Sequence, residues 1–169
     1  GRRLRSEGGA EGEGRRVLGE WNATARDHPS ACIHPLFELQ AGRTPDAPAV
    51  ECDGHVLTYA GLNARANRLA HTLRALGVGP DVLVGVCVER SVDLPAAVLG
   101  VLKAGGAYVP LDPGYPRERL EYMLADSGAR VLVTPSTLPL AGARRGVDVL
   151  CLDRDAERID AGSEENPES

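Results

Sequence analysis

From Ala47 onward, short apolar runs alternate with longer stretches whose apolar residues recur at three- and four-residue steps. That alternation predicts strands separated by helices, and therefore βαβ units in a mostly parallel sheet. Tyr59, Leu62, Ala66, Leu69, Leu73 and Leu76 fall on one helical face, and Gly77 supplies a C-terminal stop. Residues 82–88 form a continuous apolar run, the pattern of a strand buried on both faces. A helix is predicted around Leu94 to Ala104, with Pro95 in its first turn and Gly105-Gly106 at its end. A strand over 107–111 follows, then a helix from Pro116 to Gly128 carrying Leu120, Met123 and Leu124. Two more strands are predicted over 130–134 and 147–152. The predicted class is α/β, built of βαβ units with a mostly parallel sheet and preceded by a β-hairpin and a linker.

The hairpin rests on Asp53-Gly54, a dipeptide suited to a type I′ turn, between the apolar runs 49–52 and 55–57. Thr58 can cap the helix that follows. A short helix carrying Leu36, Phe37 and Leu39 and ending near Gly42 precedes the hairpin. Residues 1–16 are Gly, Glu and Arg with almost nothing apolar, so burial cannot offset their ordering entropy and disorder is expected. Residues 17–46 read as a linker with an entry helix, and 47–169 as the start of the folded domain. From Glu157 onward the chain is polar and is expected to fray, and Glu164-Glu165 reads as a solvated tail.

Charge and composition exclude several functions. The net charge of −5 is mild and the arginines are dispersed, so no nucleic-acid surface is expected. No apolar run approaches the ~20 residues that cross a bilayer, and a cytoplasmic location is expected. The four cysteines, Cys32, Cys52, Cys87 and Cys151, are too far apart for a zinc or redox motif, and Cys87 reads as a small buried hydrophobe. His28, His34, His55 and His71 are unclustered. Lys103 is the only lysine, so any chemistry that needs one has a single candidate. The chain opens on Gly1, which suggests a piece of something longer.

Two stretches carry a family resemblance. Leu57-Thr58-Tyr59-Ala60-Gly61-Leu62 resembles L-[TS]-Y-x-E-L, and Leu102 to Asp112 resembles L-K-A-G-x-A-Y-V-P-[IL]-D at every position. Trp21-Asn22-Ala23-Thr24 is similar to the W-N-x-T segment joining a condensation domain to the domain after it. Leu36 to Gln40 and Thr44 to Ala49 are similar to the approach to that domain. Together they resemble the N-terminal part of a nonribosomal peptide synthetase adenylation domain, of the adenylate-forming ligase superfamily.

The resemblance implies that the parent enzyme joins an amino acid to ATP, with Mg²⁺, as an aminoacyl adenylate. The acyl group then passes to a carrier-protein phosphopantetheine thiol. It implies an upstream condensation domain, a downstream carrier protein and, in some members, an MbtH-like activator. The family's Ser/Thr/Gly-rich phosphate loop ending in Lys does not occur in the chain; Thr134-Pro135-Ser136-Thr137 is the nearest approach. No catalytic, cofactor-binding or metal-ligating residue is therefore assigned, and no tight ATP or Mg²⁺ binding is expected of these residues alone. Lys103 is expected to be a solvated helix-end lysine, Asp112 a turn residue, and Tyr108 and Tyr115 packing residues. Gly61 stands where the family has Glu, so a capping box is lost and a frayed helix start is expected. The competing readings are a non-catalytic docking piece or gene remnant, and a fragment of an acyl-CoA ligase. Strands left without later neighbours are expected to make the isolated chain poorly soluble or partly molten.

Overall fold

The computed structural model describes residues 16–24, 31–142 and 146–168. Most of the segment expected to be disordered, together with His28, lies outside the described residues. The chain divides into two compact units, one up to Ala31 and one from Cys32 onward. In the first, a single π-helical turn at Arg16–Glu20 is closed by Asn22, whose Nδ2 donates to the Val17 carbonyl at 2.6 Å. Trp21 is exposed.

The second unit opens with α1 (Ile33–Arg43), three residues earlier than its apolar residues alone indicate. Pro35 sits in its first turn, where a missing N–H costs no hydrogen bond. A hairpin of β1 (Pro48–Cys52) and β2 (His55–Thr58) follows, paired antiparallel. Its turn residues Asp53 and Gly54 have φ of 49° and 77°, the left-handed values that a type I′ turn requires.

Helix α2 (Tyr59–Ala75) starts without fraying. Thr58 Oγ1 accepts from the Gly61 N–H at 3.1 Å. The Tyr59 and Ala60 N–H groups donate to the Ala47 and Pro45 carbonyls at 3.0 and 2.9 Å. Three of the four amides that a helix start leaves open are thus taken, which replaces the missing capping box. A Cβ on Gly61 would stand 3.4 Å from Thr58 Oγ1, an ordinary contact. Gly61→Ala is therefore expected to stabilise the domain by up to about 1 kcal/mol, read as slower hydrogen exchange in its central strand.

The sheet consists of β3 (Leu83–Val86), β4 (Ala107–Pro110), β5 (Val131–Thr134) and β6 (Asp148–Cys151), in the order β4-β3-β5-β6 and parallel throughout. The long apolar run at 82–88 supplies four strand residues, and Asp81 (φ 60°) with the Val82 N–H to Gly79 carbonyl bond makes a turn just before it. Helix α3 (Asp93–Lys103) connects β3 to β4, and α4 (Arg117–Asp126) connects β4 to β5. Val84, Val86, Val131, Val133 and Leu150 meet α2 and α3 on one face, through Leu69, Leu73, Ala97 and Val101. Leu132 meets Leu120 and Leu124 of α4 on the other. The period of two along each strand thus makes a three-layer sandwich. The hairpin and Phe37 close a third cluster with Leu62, Ala66 and Leu99.

The C-terminal stretch is ordered, contrary to the fraying expected after Glu157. Helix α5 (Ala156–Asp160) buries Ile159 in the core, and the residues after it lie along α2. Among the described residues, no helix is long and apolar enough to cross a membrane.

Candidate functional site

Parallel sheets bind ligands where neighbouring strands send their connections to opposite sides, because the strand ends part there and leave a crevice. In this order β3 leads to β4 on one side and β5 leads to β6 on the other. The crevice therefore lies between the carboxyl ends of β3 and β5. Residues 87–90 leave one strand and 135–137 leave the other.

An open groove of about 500 Å³ lies on the β3–β4 side of this point, lined by Val88, Glu89, Arg90, Tyr108, Asp112 and Tyr115 among others. Asp112 is a turn residue, as expected. Its Oδ1 accepts from the Gly114 N–H at 2.9 Å and its carbonyl from the Tyr115 N–H at 3.0 Å. The tyrosines depart from the packing role read for them: Tyr108 is 41% and Tyr115 36% exposed. Tyr108 lies on an outer strand of the sheet, and Tyr115 stacks instead against Arg119, whose guanidinium carbon is 4.0 Å from the ring centre.

On the β5–β6 side the loops are clasped together. Asp153 accepts from both the Ser136 N–H, at 2.8 Å, and the Ser136 hydroxyl. These two bonds hold the Asp153 carboxyl down at about 2. A group whose folded value is depressed contributes stability that is present above its unfolded value and lost as pH falls through the folded one. The clasp is therefore expected to hold at pH 5 and above and to open between about pH 4 and 2. Titration of the Ser136 amide shift by NMR would follow it.

Cys87 lies at the end of β3, fully buried. Burial pushes its thiol up to about 11, with the Asp112 charge adding to the shift and a bond to Thr134 opposing it. It is a thiol rather than a thiolate at neutral pH, which suits packing and not nucleophilic attack. Among the described residues, no group of three or more His, Cys, Asp or Glu side chains could hold a metal ion.

Lys103 is the largest departure from expectation. It is 2% exposed rather than solvated. Its ammonium pairs with Glu38 of α1 and donates to Asn166 Oδ1 at 3.2 Å. Burial lowers its pKa, and the bond and charge of Glu38 oppose that shift. Its partners lie 65 residues before it and 63 after it, so no local spacing could have shown them. A second, apolar groove of about 890 Å³, lined by Ile33, Pro35, Val78, Pro80 and Leu102, lies by the ends of α2 and α3, away from the strands' carboxyl ends.

Comparison with known proteins fits this geometry. Residues 37–169 match the family of AMP-binding enzymes. A linear gramicidin synthase polypeptide of Brevibacillus parabrevis is 51% identical over 160 residues, 92% of the chain and 3% of that protein. Surfactin synthase subunit 1 of Bacillus subtilis (strain 168) is 44% identical over 164 residues, 94% of the chain and 4% of that protein. The chain thus spans a few per cent of the length of these relatives. Among solved structures, the nonribosomal peptide synthetase FmoA3 superposes with a TM-score of 0.83 at 40% identity, over 91% of the chain and 16% of that one. That protein has also been solved in an alpha-methyl-L-serine-AMP bound form.

Proposed function

Because the chain belongs to the AMP-binding enzyme family, we propose that it builds the front of an amino-acid-activating adenylation domain in a nonribosomal peptide synthetase. The observation that carries this reading is the corner made by residues 102–112. There α3 ends, Gly105 turns at a φ of 90°, and β4 enters the sheet, with Lys103 buried beneath. That corner is the stretch which matches the synthetase pattern at every position, and the fold gives each part of it a place.

In this reading the complete domain joins an amino acid carboxylate to ATP and passes the acyl group to a carrier-protein thiol. Neither Ser136 nor Lys103 is free to take ATP's phosphates. Both donors of Ser136 are occupied by Asp153, whose carboxylate also sets a negative charge beside them. Lys103 is buried and neutralised by Glu38. The share of this chain is the sheet, its carboxyl-end groove and the order in which neighbouring segments meet it. Residues 17–46 act as the linker from a condensation domain, and 47–169 begin the adenylation domain. A carrier protein downstream, and in some settings an MbtH-like activator, complete the set of partners.

The test is amino-acid-dependent exchange of pyrophosphate into ATP by the intact protein that carries these residues, across a panel of amino acids. Exchange with one or a few amino acids, and none by the 169-residue chain alone, is the expected result. Exchange only with fatty or aryl acids, with transfer to coenzyme A, would move the chain to the acyl-CoA ligase reading.

A further inference from the structure

The residues after α5 form no strand and no helix, yet they are held at several points. Asn67 Nδ2 donates to the Glu164 carbonyl at 2.6 Å, and His71 Nε2 lies 3.0 Å from the Glu165 carbonyl. Arg74 donates to the Glu168 carbonyl at 2.7 Å, and Arg68 pairs with the Glu164 carboxylate. Helix α2 thus offers a row of side-chain donors to the backbone of an extended strap. Pro167 is buried in it.

One strap side chain is held by three donors at once. Asn166 Oδ1 accepts from Asn63 Nδ2 and Asn67 Nδ2 at 2.9 Å each, and from Lys103 Nζ at 3.2 Å. The other partner of that ammonium is Glu38 on α1. We propose that Asn166 is a latch, coupling the strap after α5 to α1 through the shared ammonium of Lys103. A buried ammonium has three N–H groups and needs acceptors for them. When the strap lifts, Lys103 loses one of its two acceptors here, and Glu38 must hold the charge alone. When α1 loosens, the load shifts to Asn166. Segments more than a hundred residues apart in the chain therefore sense each other, independently of the catalytic reading above.

The geometry also specifies the chemistry of the latch. Position 166 acts purely as an acceptor, and an amide oxygen offers two lone pairs to three donors. A carboxylate offers more acceptor sites and adds a charge opposite Lys103, so Asn166→Asp keeps the latch whereas Asn166→Ala and Asn166→Leu abolish it.

Hydrogen exchange with mass-spectrometric readout on the intact protein tests this, following peptides over α1, the strap and β3. In the Ala and Leu variants, protection in the strap and in α1 is expected to fall on the order of tenfold, with β3 unchanged. Asn166→Asp should retain protection in both. A loss confined to the strap would overturn the coupling. A loss in Asn166→Asp as large as in Asn166→Leu would overturn the acceptor role, and this arm stays readable if the Ala and Leu variants unfold.

Discussion

Replacing Glu38 by Gln is expected to destabilise the domain by about 3–5 kcal/mol, measured as the loss of hydrogen-exchange protection in β3 of the intact protein. Total stabilities are of order 5–15 kcal/mol, so the change would bring the domain close to unfolding. The size follows from asymmetry rather than from the strength of the pair. Forming such a pair, with Lys103 buried and Glu38 half-buried, roughly breaks even, because desolvation opposes the attraction. Removing one partner leaves the other unbalanced, with Lys103 buried at 2% exposure. A double change, Glu38→Leu with Lys103→Met, removes both charges together and should recover most of the loss. A single variant as stable as the parent would mean that Lys103 moves its charge to water and that burial does not set the cost.

The pH dependence gives a second readout. Burial places the folded pKa of Lys103 below its ordinary value, with Glu38 opposing. A lysine whose folded value is lowered costs stability while it is charged in both states, and that cost falls as pH rises through the folded value toward the unfolded one. Without the Glu38 charge the folded value drops further. The deficit of Glu38→Gln should therefore shrink as pH is raised from 7 toward 10, whereas Leu120→Ala, an uncharged core change on the far face, should carry a deficit that does not move.

The parts of this fold that could be read in the sequence are those fixed by neighbours in the chain. Asp53-Gly54 sets its turn by its own backbone preferences, and φ values of 49° and 77° are what those preferences allow. The apolar steps from Tyr59 to Leu73 set the buried face of α2 because a helix repeats locally. Alternation of strand and helix runs carried the α/β class and the parallel sheet. What could not be read depends on residues far apart. Nothing near Lys103 marks it as buried, since the same cation at a helix end is usually solvated. The strap reads as a solvated acidic tail because its anchors, Asn67, His71 and Arg74, sit on another element and bind backbone carbonyls, which every sequence has. The Ser136–Asp153 clasp spans 17 residues and two loops and leaves no periodic trace.

Asn67 makes the sharpest contrast with the latch residue. Both are amides in one network, but Asn67 donates where Asn166 accepts: its Nδ2 serves the Glu164 carbonyl and Asn166 Oδ1. The change from Asn to Asp, tolerated at 166, should therefore cost at least ~3 kcal/mol at 67 near neutral pH. A carboxylate there would face two acceptor oxygens inside a site of 0% exposure, with both donors gone. Asn67→Leu should cost less, about 1–3 kcal/mol, because it strands the same acceptors without burying a charge. The two variants part again in acid. Burial and the facing oxygens must raise the folded pKa of an Asp at 67 above its unfolded value, so its stability is present at low pH and lost as pH rises through the unfolded value. Protonation also restores one donor. Asn67→Asp should thus regain stability between about pH 7 and 4, a window in which the Asp153 clasp still holds and Asn67→Leu does not change. An Asn67→Asp protein as stable as the parent at neutral pH would mean that the amide oxygen, not the nitrogen, faces the strap, and the donor row along α2 would then have to be redrawn.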